Sequence, residues 1–127
     1  MDLKDYFETR QGTGVLATAD AQGNVDAALY SRPHVMDDGT VAFIMNDRVS
    51  HRNLQSNPRA AYLFTESENR RDGIRLYLVK SRETDDPAAI EPLRRHRSAG
   101  GDDGKKLFLV VFTVERTRPL VDAAPSG

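Results

Sequence analysis

The chain contains no cysteine. Disulfides, thiolate metal sites and cysteine nucleophiles are therefore excluded. No apolar run approaches the length of a bilayer span. The first residues, "MDLKDYFETR", lack the apolar segment of a secretory signal. A cytoplasmic setting is the expectation. No charge of one sign prevails either: 18 Lys and Arg stand against 19 Asp and Glu, a net charge of −1. Such a chain has no global field to draw it to nucleic acid or an acidic membrane, and neither partner is expected. His34, His51 and His96 are too scattered for metal-ligand spacing, so no metal site is expected. There is no Gly-rich phosphate loop of the Rossmann or Walker kind, no internal repeat and no linker.

What is present is a soluble globular composition, 39% apolar and 29% charged over 127 residues. That length reads as one domain, which buries roughly two thirds of the surface of its unfolded chain. Six segments read as strands: "TGVLATAD", "NVDAALYS", "TVAFIMN", "RAAYLFTE", "IRLYLVKS" and "KKLFLVVFTVER". Turn chemistry at "AQG" and "DDG" separates the early ones. Only three stretches read as helices. Asp2 caps the first, where Leu3, Tyr6 and Phe7 share a face. The second covers about 48–56 and ends before Pro58. The third runs over 86–97, with Pro87 at its first position and Pro92 kinking it. The expected fold is mainly β, a six-stranded antiparallel split β-barrel with short flanking helices. "VAFIM", "AAYLF" and "LFLVVFTV" are apolar on both faces. Strands of that kind need cover on both sides, and a second copy in a homodimer is the expected source.

The densest polar cluster lies in "RVSHRNLQSNPRAAYLF", residues 48–64. Arg48, Ser50, His51 and Arg52 open a short helix just before an apolar strand. A helix start offers free N–H groups and partial positive charge, so an anion held there is one reading. An ordinary exposed helix is the other. "RRHR" at 94–97 reads as a solvated helix face. Met36 and Met45 read as packing residues.

The order strand, turn, strand, "DDGTVAFIMN", short polar helix, "NLQSNPRAAYLF" resembles the FMN-binding split-barrel family related to pyridoxamine 5'-phosphate oxidase. The likeness runs from about Thr13 to Phe64 and more loosely through 73–82 and 105–117. The resemblance implies FMN in a groove at a homodimer interface. Backbone groups of Ala28, Leu29 and Tyr30 would meet the flavin ring. Ile44, Met45 and Asn46 would lie beneath or beside it. The phosphate would sit at the start of the short helix among Arg48, Ser50, His51 and Arg52, with Ser50 where the family usually carries lysine or a hydroxyl residue. Arg32 and His34 flank Pro33 at the end of the second strand and read first as a turn, with a substrate or flavin contact as the alternative. The resemblance also implies an FMN-dependent oxidoreductase acting on an unnamed small molecule. The alternatives are a split barrel that binds haem or a deazaflavin, and a non-enzymatic flavin-binding or electron-carrier protein. No catalytic residue is assigned, since the flavin itself carries such chemistry. Oxidation of pyridoxamine 5'-phosphate would need a second, Arg- and His-rich phosphate site near the C-terminus. The tail "RPLVDAAPSG" lacks that cluster.

Overall fold

The structure, a computed structural model, describes residues 2–94 and 106–121. The chain order is α1 (Leu3–Thr9), β1 (Gly12–Ala19), β2 (Val25–Leu29), β3 (His34–Val35), β4 (Val41–Asn46), α2 (Val49–Ser56), β5 (Arg59–Glu66), β6 (Gly73–Thr84), α3 (Pro87–Ile90), a 3-10 turn (Glu91–Leu93) and β7 (Leu107–Pro119). The strands form one antiparallel sheet in the order β2-β1-β5-β6-β7-β4-β3. Among the described residues seven strands stand where six were expected. The addition is β3, two residues after Pro33 that pair with β4 through His34↔Ala42 and Val35↔Val41. Two residues are too few to carry an alternating pattern. The architecture is otherwise the expected one, a mainly β split barrel with short flanking helices.

Two tight turns set the early hairpins. At both, a glycine takes φ +86°, which side chains rarely tolerate: Gly23 between β1 and β2, and Gly39 between β3 and β4. Asp20 accepts from the backbone N–H groups of Gln22 and Asn24 and so fixes the first turn. Two register shifts, between Tyr77 and Leu78 and between Lys80 and Arg82, let the long pair β6–β7 curl.

One face of the curled sheet encloses the main core. Leu16, Phe43, Met45, Tyr62, Phe64, Leu76, Leu78 and Phe112 are buried there, with Tyr6 and Phe7 of α1 and Leu54 of α2. The rings of Phe7 and Phe64 meet edge to face at 5.4 Å, and Phe43 lies 4.9 Å from Tyr62. Such pairs contribute roughly 0.5–1.5 kcal/mol beyond their buried area.

The strands that are apolar on both sides fall into two groups. Ala42, Leu109 and Val111, on the outer face of β4 and β7, are covered by Ile90 of α3. Pro92 limits this cover to four α-helical residues and a 3-10 turn, shorter than the helix expected over 86–97. Residues 95–97 of that expectation lie outside the described residues. Arg94 does not face solvent as expected of a surface helix. Its side chain is 12% exposed and pairs with Glu91 at 3.1 Å. The outer face of β2, β1 and β5 has no such cover. Leu29, Val15 and Leu63 form one cross-strand row, and Ala27, Ala17, Ala61 and Tyr77 the next. Leu29 is 75% exposed and Leu63 40%.

Candidate functional site

Helix α2 packs against β1, β2 and β4. The "NLxxNP" pattern explains how it is held. Asn53 is buried and donates to the Thr18 hydroxyl of β1 at 3.0 Å. Leu54 enters the core. Asn57 donates its backbone N–H to Asn53 and accepts from the Arg59 backbone N–H, turning the chain across Pro58 into β5. The helix start is therefore fixed relative to the strand ends beside it.

Arg48 is the N-cap. Its backbone is extended, and its side chain makes no capping hydrogen bond. The first backbone bond of the helix runs from the N–H of Arg52 to the carbonyl of Arg48, at 2.9 Å. The N–H groups of Val49, Ser50 and His51 precede it, so the helix supplies them with no acceptor. Beside them lies a groove of about 430 Å³, walled by Ala28 and Leu29 from β2, Tyr30 just after it, Ile44 and Asn46 from β4, and Arg48 and Ser50. Asp26 also lines it.

Seven of the ten residues expected at the cofactor thus meet in one groove: Ala28, Leu29, Tyr30, Ile44, Asn46, Arg48 and Ser50. Ser50 is buried and shares a hydrogen bond with the Tyr30 hydroxyl. Burial raises the Tyr30 phenol above its ordinary range, opposed by the Ser50 hydrogen bond and the nearby Arg48 charge. The other three lie elsewhere. Met45 points into the core because the pleat sends Ile44 and Asn46 to the opposite face. Arg52 is exposed and is not among the groove's lining residues.

His51 turns away from the groove. Its Nδ1 lies 2.9 Å from Asp47 Oδ1 and its Nε2 2.9 Å from Glu83 Oε2 of β6. The ring stacks on Phe108 at 3.9 Å. Gln55 donates to Glu83 at 2.8 Å, and Lys80 pairs with the same carboxylate. An ionised carboxylate only accepts, so the ring satisfies both neighbours when both its nitrogens carry protons. This knot ties the start of α2 to β6 and β7. Glu83 lies 32 residues from His51, and no local pattern connects the two.

The knot has a measurable signature. Burial alone would raise the Glu83 carboxyl. Hydrogen bonds from Gln55, Lys80 and His51 outweigh it and bring the carboxyl from 4.5 down to about 2. A carboxyl depressed in the folded state stabilises it fully above its unfolded pKa, and that stabilisation is lost as pH falls towards the folded value. The window is therefore from about 4.5 down to about 2. Urea midpoints measured across it should fall more steeply for the parent than for Glu83→Gln. Parallel curves would mean that the knot contributes no pH-dependent stability.

Gly14 is a second residue that the sequence reading did not single out. A Cβ there would lie 1.9 Å from the Tyr62 hydroxyl and 2.6 Å from the Tyr30 carbonyl. That hydroxyl donates to that carbonyl at 3.1 Å, and the Tyr30 N–H donates to the Gly14 carbonyl at 3.0 Å. Gly14 thus holds the end of β2, and with it a groove wall. The available signal was a glycine inside a strand pattern, which marks a close backbone approach.

Among the described residues, no three His, Asp or Glu side chains are placed to hold a metal ion, and no helix is long and apolar enough to cross a membrane. No curated protein matches the sequence. Several solved structures share the fold. An FMN-binding protein from Syntrophomonas wolfei superposes with a TM-score of 0.76 at 16% identity, over 96% of this chain and 86% of its own. An F420 reductase gives 0.72 at 16%, over 90% and 94%. HupZ of Group A Streptococcus gives 0.71 at 24%, over 99% and 97%. The family model described as pyridoxamine 5'-phosphate oxidase matches residues 3–120, from the first turn of α1 to just past the end of β7. With that match over nearly the whole chain, on a split barrel whose strand ends meet a fixed helix start, the protein belongs to the pyridoxamine 5'-phosphate oxidase family.

Proposed function

We propose that this protein binds FMN in the groove between β2, β4 and the start of α2, and acts as an FMN-dependent oxidoreductase on a small molecule. The observation that carries the reading is the helix start. The N–H groups of Val49, Ser50 and His51 have no helical acceptor, and Arg48, Val49 and Ser50 at that helix start line the same groove as the apolar walls Leu29 and Ile44. A phosphate suits the first set, by hydrogen bonding and by the helix dipole. A flat apolar ring suits the second. When bound, the flavin supplies one- and two-electron redox chemistry. This chain's residues bind and orient it: the α2 N–H groups and Arg48 at the phosphate, Ala28, Leu29, Tyr30, Ile44 and Asn46 at the ring. Ser50 supports the site from behind through Tyr30.

The experiment is a paired titration of the flavin-free protein with FMN and riboflavin, followed by flavin fluorescence. FMN should bind at least about tenfold more tightly, since a phosphate gains charge-assisted hydrogen bonds that riboflavin lacks. Equal affinities would overturn the reading. The likeness to an F420 reductase favours a deazaflavin as the second reading. A visible spectrum of the purified protein separates flavin, deazaflavin and haem. A protein that takes up FMN without catalysing redox turnover would instead be a flavin-binding or electron-carrier protein.

The same proposal includes a homodimer in a cytoplasmic setting. Leu29 belongs both to the groove and to the uncovered apolar face of β2, β1 and β5. A second copy on that face would bury the patch beside the cofactor. Sedimentation at micromolar concentration should give twice the mass of one chain. The mass of a single chain would contradict the dimer.

A further inference from the structure

We propose that His51 is a positioning residue for the phosphate end of the groove. With both ring nitrogens protonated it latches the start of α2 to β6, and loss of the Nε2 proton to solvent opens that link and weakens phosphate binding. The proposal rests on the FMN reading. His51 serves both sides of the helix start. Its backbone N–H is one of the three without a helical acceptor. Its ring is buried, turned away from the groove and stacked on Phe108 of β7. The contact with Asp47 spans the N-cap, because Asp47 lies between Asn46 and Arg48, and both of these line the groove. The contact with Glu83 anchors the same turn on β6. A shift of the ring therefore moves the backbone that meets the phosphate.

The two ring nitrogens are not equivalent once the ring is neutral. Nδ1 meets Asp47 Oδ1, whereas Nε2 lies 2.9 Å from Glu83 Oε2 and 3.2 Å from Gln55 Nε2. With the proton kept on Nδ1, Nε2 can accept from the Gln55 amide, and both nitrogens of the neutral ring have partners. The proton lost is therefore the one on Nε2. Glu83 Oε2 then faces a lone pair in place of a donor. Its carboxyl, brought down to about 2, stays ionised at neutral pH and has no proton to give back. The carboxylate keeps Gln55 and Lys80 and parts from the ring. Among the described residues, the other charged groups beside this knot are Lys106 and Asp85, ahead of β7 and α3. Lys106 Nζ lies 5.6 Å from the Phe108 ring centre and pairs with Asp85 at 2.8 Å. Imidazole is the side chain that ordinarily changes charge between pH of about 5 and 8.

The test is the ratio of FMN to riboflavin affinity, followed by flavin fluorescence on the full chain from mildly acidic to mildly alkaline pH. The flavin ring is common to both ligands, so its own titration cancels. A phosphate gains negative charge as pH rises through its second pKa of about 6. That gain strengthens binding, so the ligand does not account for a ratio that falls at higher pH. The ratio should fall by about tenfold, as the loss of one hydrogen bond gives. The fall should coincide with the loss of the His51 Nε2 proton, followed by nitrogen NMR of labelled histidine. His51→Gln has no titrating ring and should give a ratio that does not vary in this way. Glu83→Gln should also remove the fall, because its amide accepts from the protonated ring and donates to the neutral one. This second variant separates positioning from charge, since its ring still titrates and the same NMR follows it. A fall that persists in Glu83→Gln would mean that the imidazolium charge acts directly, and would overturn the latch. So would a ratio in the parent that does not fall as the ring loses its proton. If His51→Gln fails to fold, the parent and Glu83→Gln still decide. A steady preference for FMN removes the latch and leaves the FMN reading standing. Equal affinities for FMN and riboflavin at every pH would overturn the FMN reading and the latch with it.

Discussion

Replacing Gly14 with alanine should destabilise the protein by about 3 kcal/mol, more than is expected of most single substitutions. The added methyl would meet the Tyr62 hydroxyl at 1.9 Å, its ring carbon at 2.4 Å and the Tyr30 carbonyl at 2.6 Å. Two of these atoms belong to a ring held in the core against Phe43 and Phe7, and the third is backbone. None of them is the free end of a flexible side chain. Overpacking of this kind typically costs about 1–3 kcal/mol. Displacing Tyr62 also disturbs its partly buried hydrogen bond to the Tyr30 carbonyl, which adds about 0.5–1.5 kcal/mol. With a urea slope of about 1–3 kcal/mol per molar, the midpoint should fall by roughly 1–3 M. Tyr62→Phe in the alanine background should recover only part of the loss, because the ring carbon and the Tyr30 carbonyl remain in the way. A Gly14→Ala protein within about 0.5 kcal/mol of the parent, an ordinary surface effect, would mean that β1 and the tyrosines shift freely. The groove wall at Tyr30 would then not depend on Gly14.

How much of this was legible in the sequence differs from element to element. β1, β4, β5 and β6 stand out because alternation or apolar runs bounded by turn residues survive in one dimension. β3 does not, since two residues have no period. The start of α2 was legible because its signals, Arg48 to Ser56 followed by Asn57-Pro58, are all local. The direction in which each α2 side chain points was not. Ser50 and His51 are neighbours, yet successive helix residues diverge by about 100°. One faces the groove through Tyr30 and the other faces Glu83 across the barrel wall. Met45 could have been placed by the pleat alone, since Ile44 and Asn46 flank it on the opposite face. Arg32, His34 and Arg94 line one cavity, and only the packing of α3 and β3 around β4 brings them together.

The Arg48→Gln variant should lose about tenfold to hundredfold in FMN affinity, equivalent to about 1.5–3 kcal/mol for one hydrogen bond to a charged group. Arg48 is suited to the test because its side chain makes no capping hydrogen bond, so the change leaves α2 intact. Glutamine keeps length and a donor while deleting charge. Arg48 is exposed, so its contribution should shrink as salt is raised. Ser50→Ala should lose less, about 1 kcal/mol, because the helix N–H groups remain and the buried hydroxyl acts through Tyr30. Arg52→Gln should leave affinity near the parent value, since Arg52 is not among the groove's lining residues. Riboflavin binding should hardly change with Arg48→Gln or Arg52→Gln, since riboflavin offers no phosphate to the helix start, whereas Ser50→Ala, acting through the ring-side Tyr30, should weaken both ligands alike. This pattern separates phosphate reading from general damage to the groove, which would weaken both ligands together. If Arg48→Gln and Ser50→Ala bind FMN as the parent does, the start of α2 does not hold the phosphate. The stretch from Arg48 to Arg52 would then serve only to fix the helix, through the His51 knot on one side and Tyr30 on the other.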